Sequence, residues 1–522
     1  MSPQRFQVVV VGSGFAGSLV AMIAHRLGLS TALVERGRHP RFVIGESSTP
    51  LANLLLEEIA DDYDLPFVRP LCKWGTWQAK TSQLACGLKR GFTFYHHEFG
   101  QPFRSDPNHQ RQLLVGASPR EEIADTHWYR PDFDHYLVQQ AQVLGVTYWD
   151  EVELTSATEE TNGMHLAGKR HGESIDLTAE FVIDATGPRG FLHRSLRLTE
   201  KTFATLPPTQ ALFSHFADVG PLPASFQTGV GTPPYPPEHA AVHHVFAGGW
   251  VWVLKFNNGL TSAGVAATDS VANTLEFQSG ESAWQKLLKR LPALAEIFGP
   301  ARTVVPFIHQ PRLAFRSGVI TGRAWALLPS AAGVIDPLLS TGFPLTLLGV
   351  LRLARLLQSH WQRPSFRPGL EDYAHLTDLE LETTARLVGA LYATMDRFEL
   401  FKELSLLYFA AASFSETARR LRKPQLADAF LLCRHPIFST QLAKICALAS
   451  LPLSAEQAGS LVRRIHEAIE PFDVAGLSNR TRHPWYPAMV SDLLRGAPKF
   501  GVGEREMVTM LEKCGAMRLK AK

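Results

Sequence analysis

A glycine-rich segment near the start of the chain, RFQVVVVGSGFAGSLVAMIAHRLGLSTALVERG, constrains the fold more than any other segment. Residues 6–11 form an apolar run, rich in valine and interrupted only by Gln7, that is typical of a parallel strand buried on both faces. Gly12, Gly14 and Gly17 follow at the G-x-G-x-x-G spacing of dinucleotide-binding turns. Such glycines permit a tight turn, a close approach of the backbone to a pyrophosphate, and close packing of the next helix on the strand.

The residues after this turn strengthen the prediction. A helix over residues 16–27 would point its positive N-terminal end at the phosphates. A second strand, STALVER, ends with Glu35, an acid placed to accept a hydrogen bond from a ribose 2′-hydroxyl. The acid favours a nucleotide without a 2′-phosphate, so FAD or NAD rather than NADP. The predicted contacts to the nucleotide are Gly12, Gly14, Phe15, Ala16, Gly17, Glu35 and Arg36.

Two later segments combine an apolar strand with a turn of small residues. AEFVIDATGPRGFL ends its strand at Asp184 and turns through Gly187, although any α/β protein has such strand ends. RAWALLPSAAGVIDPLLSTGFPL carries a strand over residues 324–328 and then a Ser-Thr-Gly turn at the start of a long apolar helix. Backbone amides at a helix start suit the edge of a flavin or an anion.

Composition excludes several classes of protein. A chain of 522 residues predicts two to four domains or one large cofactor enzyme, and a net charge of +3 without a basic stripe argues against nucleic-acid binding. The five cysteines show no metal-ligand spacing, which indicates a reducing compartment and no structural metal. No apolar run is expected to reach the ~18–20 residues of a membrane span, and no signal peptide is evident. We therefore expect a cytoplasmic protein without stable membrane insertion.

Five motifs, in this order, resemble those of the flavin-dependent halogenases, within the larger class of FAD monooxygenases: VVVVGSGFAGS, VERGRHPRFVIGESSTP, HWYRPDFDHYLVQQAQVLGV, DATGPRGFL and IDPLLSTG. The resemblance covers residues 5–355. It implies an α/β fold with an FAD-binding Rossmann-like (glutathione-reductase/PHBH-like) domain, an antiparallel β-sheet substrate region and a helical C-terminal region. It also implies further cofactor contacts at Glu46, Ser47, Arg130, Asp184, Gly187, Ser330, Asp336 and Gly342.

The resemblance implies a reaction as well. In that family, reduced FAD, O2 and a halide generate hypohalous acid, and a separate reductase reduces the FAD. Ser340, Thr341 and Gly342 would hold chloride or bromide beside the flavin. The family lysine in a Lys-x-Gly-Phe-x-Phe pattern corresponds to Lys89 in LKRGFTF, and its ammonium would guide and polarise the hypohalous acid. Taken alone, this segment is typical of an exposed edge strand, in which Lys89 is merely solvated.

The sequence departs from the family pattern at three places. Tryptophan halogenases have a glutamate where this chain has Leu339, which indicates phenols, pyrroles or carrier-tethered substrates instead. Trp250 and Trp252 of the family tunnel motif are kept, but its Ile-Pro end is replaced by Leu254 and Lys255. A serine stands where many FAD monooxygenases have an aspartate on the ribityl chain. The predicted tunnel and substrate residues are Trp250, Trp252 and Pro337.

Several alternatives stay open at this point. The GESSTP segment and the arginine of HWYRPDFDHYL would look the same as a polar loop and an exposed helix start. The altered tunnel motif is compatible with an FAD-dependent hydroxylase or dehydrogenase, and a non-catalytic flavoprotein is a third class. For the domains we predict a core over residues 1–355, with an interleaved substrate-binding sheet over approximately 70–130 and 205–315. Residues 356–522 would form a helical region that covers the substrate side.

Overall fold

The computed structural model describes residues 4–226 and 231–517. Within these ranges the strands are β1 (Gln4–Val11), β2 (Thr31–Val34), β3 (Cys86–Lys89), β4 (Gly91–His96), β5 (Gln112–Gly116), β6 (Asp125–Trp128), β7 (Thr147–Trp149), β8 (Val152–Glu160), β9 (Gly163–Arg170), β10 (Glu173–Asp184), β11 (Glu200–Lys201), β12 (Thr209–Ala217), β13 (Ala241–Phe246), β14 (Gly249–Lys255), β15 (Leu260–Thr268), β16 (Arg302–Thr303), β17 (Ile308–Gln310), β18 (Phe315–Ser317), β19 (Trp325–Leu327), β20 (Gly333–Val334) and β21 (Trp485–Tyr486).

The α-helices of the same ranges are α1 (Phe15–Arg26), α2 (Pro50–Asp62), α3 (Trp74–Lys80), α4 (Arg130–Leu144), α5 (Phe191–Ser195), α6 (Asp269–Leu275), α7 (Glu281–Arg290), α8 (Pro292–Phe298), α9 (Pro329–Ala332), α10 (Gly342–His360), α11 (Phe366–Tyr392), α12 (Phe398–Arg420), α13 (Pro436–Ala449), α14 (Ala455–Ile469), α15 (Val490–Arg495) and α16 (Glu504–Lys513).

The first sheet positions the nucleotide-binding turns. Its order is β7-β2-β1-β10-β9-β8, with β19 also paired to β10, and the pairs around β1 are parallel. Val8, Val9 and Val10 of β1 are fully buried, because α1 packs on the strand and β2 and β10 flank it. Val11 is in register with both Val34 and Asp184, so the turns after β1, β2 and β10 meet at one edge of the sheet.

The second large sheet has the order β16-β12-β15-β14-β13-β4-β5-β21, and β17 also pairs with β12. Most of its pairs are antiparallel, as predicted, but β13 pairs with β4 and β21 with β5 in parallel. β21 comes from the C-terminal part of the chain, where the sequence predicts helices. Two short strands, β3 and β6, form a separate antiparallel pair. The predicted α/β fold class, with its two kinds of sheet and C-terminal helices, is confirmed.

Helix α10 carries the most apolar long segment of the described residues. Together with the turn before it, Leu338–His360 is long and apolar enough to cross a membrane by composition, contrary to the expectation from the sequence. However, 83% of its most apolar stretch is buried inside the protein. The helix packs against α1, α2 and α11. This burial is typical of the core helix of a globular domain.

Candidate active site

A cavity of about 540 Å³ opens at the edge of the first sheet where the strand ends meet. Its wall includes nearly all residues that the sequence singles out for the cofactor, the halide and the tunnel. They are Gly12, Gly14, Phe15, Ala16, Gly17, Glu35, Arg36, Glu46, Ser47, Arg130, Gly187, Trp250, Trp252, Ser330, Asp336, Pro337, Ser340, Thr341 and Gly342. Residues far apart in the chain thus share one wall, and the volume lies in the range of cofactor sites.

The turn between β1 and α1 leaves room for a ligand at the helix start. Gly12 has a φ of +99°, and a Cβ atom on Gly17 would lie 1.9 Å from the Gly12 carbonyl oxygen, so only glycine fits position 17. Gly14 is the N-cap of α1, and no side chain caps its backbone amides. The amides and the positive end of the helix dipole are therefore available to an anion such as a pyrophosphate.

Glu35 stands at the far end of the cavity and is firmly held. Its Oε2 accepts hydrogen bonds from the Ser13 amide at 2.9 Å and from Arg41 at 3.1 Å, and its Oε1 accepts one from the Gly37 amide. Burial alone would raise the pKa of this carboxyl, but Arg41 and the bonds from Gly37 and Ser13 outweigh burial and lower the pKa. The acid is thus an ionised acceptor at the edge of the cavity.

Asp184 is the predicted cofactor residue that does not line this cavity. Its carboxylate accepts hydrogen bonds from the Thr186 amide at 2.8 Å and from the Leu192 amide at 2.6 Å. The side chain therefore fixes the turn between β10 and α5, and Gly187 of that turn lines the cavity in its place.

Arg130 is buried rather than an exposed helix-start residue. Its guanidinium forms two parallel hydrogen bonds with Asp134, at 2.8 and 2.6 Å, and a third with the Gly45 carbonyl at 2.9 Å. It also lies over the ring of Phe15, 5.0 Å from the ring centroid. Bidentate pairing of this kind fixes the guanidinium plane, so Arg130 ties the loop at Gly45 to helix α4.

Glu46 places a buried carboxylate on the cavity wall. Its Oε1 lies 2.9 Å from His215 Nε2, whereas its Oε2 is buried without a hydrogen-bond partner among the described residues. A buried carboxylate oxygen in this state is short of a donor. A ligand with an N–H or O–H group in the cavity would supply one.

The turn before α10 is strained and strongly braced. Leu339 and Ser340 both have positive φ, +64° and +55°, which is uncommon for residues with a side chain. Asp336 braces the turn by accepting hydrogen bonds from the Leu338 amide at 2.9 Å, Trp250 Nε1 at 3.2 Å and Tyr392 at 2.8 Å. Such strain persists only where the surroundings hold it, and it clusters at functional sites.

The end of the same turn faces open space. A Cβ atom on Gly342 would meet no atom within 4 Å, and Gly342 is the first residue of α10. Ser340 and Thr341 precede it on the cavity wall. The helix start therefore presents backbone amides to the cavity, which suits a small anion.

Lys89 is buried completely, so the interpretation as a solvated edge-strand residue is wrong. Its ammonium donates hydrogen bonds to Ser47 Oγ at 2.8 Å and to the Ser48 carbonyl, and lies 3.8 Å from the centroid of the Phe92 ring. Burial lowers the pKa of this ammonium, and the nearby Asp125 carboxylate opposes the shift. Such a perturbed, buried ammonium is a strong candidate for a functional group.

A second cavity, of about 170 Å³, is bordered by Phe92, whose ring the Lys89 ammonium contacts. Phe92, Asp125 and Thr49 line it, together with Tyr408 and Phe409 of α12. Ser47, which binds the ammonium, lines the first cavity. Lys89 itself lines neither cavity, but it contacts Ser47 of the first and Phe92 of the second and so links their walls.

Some residues of the site are not evident from the sequence. Phe343 and Arg41 line the first cavity, and Tyr408 donates a hydrogen bond to the Leu339 carbonyl at 3.0 Å. Because Phe343 directly follows the Ser-Thr-Gly turn, its position in the chain indicates that it lies near the site. Tyr408 lies in the apolar segment LLYFAAASF of the region expected to cover the substrate side, but nothing in that segment indicates its bond to Leu339. Lys255, one of the residues that departs from the family pattern, points away from the site and pairs with Glu238.

A separate cluster of possible metal ligands is formed by Glu399, Glu403 and His483. The Lys402 ammonium lies 2.7 Å from Glu399 Oε2 and 3.1 Å from His483 Nε2, and it is buried. The buried Lys402 ammonium already balances the negative charge of this cluster, so we infer no metal ion there.

Comparison with known proteins gives a consistent result. The model of the tryptophan halogenase family matches residues 126–402, more than half of the 522-residue chain. The monodechloroaminopyrrolnitrin halogenase PrnC of Pseudomonas fluorescens is 28% identical over 77% of this chain and 70% of its own length. The tetracycline 7-halogenase of Kitasatospora aureofaciens is 26% identical over 78% of this chain and 73% of its own length.

A solved structure, the halogenase PltM in complex with phloroglucinol and FAD, has the same fold. It superposes with a TM-score of 0.80 at 24% sequence identity, over 92% of this chain and 99% of that protein. The fold, the cavity at the strand ends and the family match agree with one another. This chain belongs to the tryptophan halogenase family, a family of flavin-dependent halogenases.

Proposed function

We propose that this protein uses FAD, O2 and chloride or bromide to halogenate an electron-rich aromatic compound, with Lys89 as the residue that delivers the halogen. The observation that carries the proposal is that the buried Lys89 ammonium contacts Ser47 of the first cavity and Phe92 of the second. Family membership and the halogenases among its relatives support the class of reaction.

The first cavity fits FAD. The turn at Gly12 and Gly17 suits the pyrophosphate, Glu35 suits the adenosine ribose, and the unpaired Glu46 Oε2 suits a donor on the flavin. Ser330, in place of the more common aspartate, offers a hydroxyl to the ribityl chain. Reduced FAD, when bound, would supply two electrons to O2, and the partly reduced oxygen would then oxidise the halide to hypohalous acid.

The turn before α10 holds the halide in this proposal. Thr341 and Gly342 offer backbone amides to the anion, and Asp336, bound to Trp250, keeps the turn in its strained conformation. Leu338 and Leu339 of the turn are buried and apolar, and the Asp336 carboxylate is engaged by hydrogen bonds from Leu338, Trp250 and Tyr392.

The second cavity binds the substrate in this proposal. Phe92, Tyr408 and Phe409 give it aromatic walls, and Lys89 approaches it over the face of Phe92. The Lys89 ammonium donates a hydrogen bond to the oxygen of hypohalous acid, which makes the halogen more electrophilic. Leu339 replaces the glutamate of tryptophan halogenases, which favours a phenolic or pyrrolic substrate, free or tethered to a carrier protein.

The proposal includes the cellular setting and the division of the chain. A separate flavin reductase would supply reduced FAD, and the reaction would take place in the cytoplasm. Residues 1–355 would form the FAD-binding core with its substrate sheet, and residues 356–522 would cover the substrate side. In support, α12 and α16 both contribute to the second cavity.

Lys89→Met tests the proposal directly. The purified enzyme would receive a flavin reductase, NADH, FAD and bromide or chloride, with phenol, aniline and indole as probes. Wild type should give products with the mass and isotope pattern of added halogen. Lys89→Met should lower that yield by at least about 100-fold, the usual contribution of a positioned proton donor, with FAD affinity unchanged.

The other outcomes identify the alternatives. Oxygenated products without halogen, insensitive to the halide, would show a hydroxylase on the same scaffold. Oxidised products with neither halogen nor added oxygen would show a dehydrogenase. No turnover of any probe, with no reaction of reduced FAD with O2 faster than in free solution, would favour a non-catalytic flavoprotein. Full halogenation by Lys89→Met would refute the role of Lys89.

A further inference from the structure

Asp125 is a buried carboxylate beside Lys89 that the reaction described above does not use. It lies on β6 directly opposite Lys89 on β3, and opposite residues of an antiparallel pair project to the same face. Asp125 is 6% exposed and borders the second cavity. Asp125 therefore faces the place assigned to the aromatic substrate, and Lys89 lies beside it on the neighbouring strand.

The hydrogen bonds of Asp125 are incomplete. Its Oδ1 accepts one from Asn53 Nδ2 at 2.9 Å, whereas its Oδ2 is buried without a partner among the described residues. The hydrogen bonds of Lys89 go to Ser47 and Ser48 instead. An unsatisfied buried polar atom costs about 1–3 kcal/mol, and more when it is charged. An oxygen in that state next to the candidate catalytic ammonium indicates a role in the chemistry.

We propose that Asp125 is a catalytic residue that accepts the proton lost by the aromatic ring and passes it to Lys89. The inference rests on the proposed function. An electron pair of the ring bonds to the halogen of hypohalous acid, and the halogen–oxygen bond breaks. The oxygen leaves as water, with its own hydrogen and one proton from Lys89. The ring carbon then loses its proton to Asp125 Oδ2, and this proton restores the Lys89 ammonium.

The electrostatics of the pair suit such an exchange. Burial raises the pKa of the Asp125 carboxyl and lowers the pKa of the Lys89 ammonium, and the attraction between the two groups opposes both shifts. Burial thereby brings the two pKa values toward each other, so the states with the proton on Asp125 or on Lys89 differ little in free energy.

The titratable groups around Lys89 and Asp125 do not take over proton transfer from this pair. Glu416 and Arg420 of α12 form an ion pair at 2.7 Å, and their opposite effects on Asp125 partly cancel. Burial and the Lys89 charge lower the pKa values of His127 and His243, which stay neutral. Asn53, on α2, donates to Asp125 and favours its ionised form.

Asp125→Asn tests the inference by its pH profile. In wild type the rate needs an ionised Asp125 and a protonated Lys89, so it should fall on both the acid and the alkaline side. Asp125→Asn should lose the acid limb, and its alkaline limb should move to lower pH, because the negative charge that raises the Lys89 pKa is gone. Its rate of probe halogenation should fall about 100-fold or more, as for loss of a general base.

Two further readouts separate this inference from the proposed function. Hypohalous acid trapped by a scavenging dye should be unchanged in Asp125→Asn, because the flavin cavity is intact. ¹³C NMR titration of lysine-labelled enzyme without FAD should show a lower Lys89 pKa in Asp125→Asn, with the Lys89 signal identified by its loss in Lys89→Met. Asp176→Asn, on the half-exposed surface of β10, is the matched control and should change neither readout.

Two milder variants keep the test valid if Asp125→Asn folds poorly. Asp125→Glu keeps the carboxylate and should retain the acid limb. Asn53→Ala removes a hydrogen bond that lowers the Asp125 pKa, so its acid limb should move to higher pH. An unchanged Lys89 titration in Asp125→Asn, or an acid limb that survives in it, would overturn the inference. If wild type halogenates no probe, the proposed function fails, whereas the NMR titration still reports on the pair.

Discussion

Gly17 shows how closely a single residue is fitted at the nucleotide turn. Helix α1 passes so near to the Gly12 carbonyl that one added methyl group would overlap with it. The same contact sets the direction in which the helix start faces the cavity. The residue therefore links the packing of α1 to the binding of a pyrophosphate.

Gly17→Ala should weaken FAD binding and destabilise the protein by about 1–3 kcal/mol, as overpacking usually does. Thermal unfolding and quenching of flavin fluorescence would measure the two effects. Gly503→Ala is the control, because its added methyl meets no atom within 4 Å. Equal FAD affinities in wild type and Gly17→Ala would contradict this account of the turn.

At the scale of residues, the sequence predicts contacts made by backbone turns better than contacts made by buried side chains. Gly12, Gly17 and Glu35 lie on the cavity wall as their spacing predicts. The burial of Lys89 could not be predicted from its own segment. It depends on Ser47, 42 residues earlier, and on the pairing of β3 with β6.

The turn between Asp336 and Gly342 is the element on which the proposed halide site depends. Its two left-handed residues are held by partners far away in the chain, since Tyr408 bonds the Leu339 carbonyl across 69 positions and Tyr392 bonds Asp336 across 56. Tyr408 also lines the second cavity. The helix that lines the second cavity thus also braces the turn proposed to bind the halide.

Tyr408→Phe should raise the KM for chloride and bromide about fivefold, the equivalent of 1 kcal/mol. The Leu339 carbonyl loses its donor, and the turn relaxes from its strained conformation. Halide titrations at a saturating concentration of an aromatic probe would measure this. Tyr373→Phe is a matched control, because Tyr373 is also buried and donates to a backbone carbonyl, that of Leu327. Both variants should lose about 1 kcal/mol of unfolding free energy, and a parallel change in halide KM would contradict the assignment.

The elements themselves follow from the sequence more closely than their arrangement does. The helix predicted over residues 16–27 is α1 at Phe15–Arg26, and the strand predicted over 324–328 is β19 at Trp325–Leu327. The turn geometry at Leu339 and Ser340 could not be predicted, because neither residue favours positive φ and only tertiary hydrogen bonds impose it.

At the scale of the whole molecule, the buried acid Asp336 should make the free energy of unfolding depend on pH. Burial raises the pKa of Asp336 to about 6, although hydrogen bonds from Leu338, Tyr392 and Trp250 favour the ionised form. In the unfolded chain the same group titrates near its ordinary value of about 3.9. Ionisation of Asp336 therefore opposes folding, increasingly as the pH rises from about 4 to above 6.

Asp336→Asn removes this dependence. Relative to wild type, its unfolding free energy should increase as the pH rises from about 4 to 7 and then level off, with a total change of up to about 3 kcal/mol. Urea unfolding across this pH range would measure the difference. A difference that stays constant with pH would show that Asp336 is not neutralised by folding. The carbonyl of the new amide can still accept from Leu338 and Trp250, which both bond Oδ1.

The helical periodicity after residue 356 predicts helices, and α11, α12, α14 and α16 are found there. It does not predict that α12 and α16 meet at the second cavity, or that β21 extends the large sheet beside β5. These contacts join segments that lie far apart in the chain, and a local pattern holds no information about them. Assembly at this scale depends on which apolar faces are complementary.

The loop from Gly45 to Thr49 has a consequence for anyone who redesigns the enzyme. Gly45, Glu46 and Ser47 line the first cavity, Ser48 holds the Lys89 ammonium, and Thr49 lines the second cavity. A substitution in these five residues would affect both cavities and the position of Lys89 together. Its effects on cofactor binding and on substrate binding could therefore not be selected separately. Helix α12 offers Phe409, Ala412 and Ser413 to the second cavity alone. A library directed at those positions would vary which molecule is accepted while the supply of oxidant is left as it is.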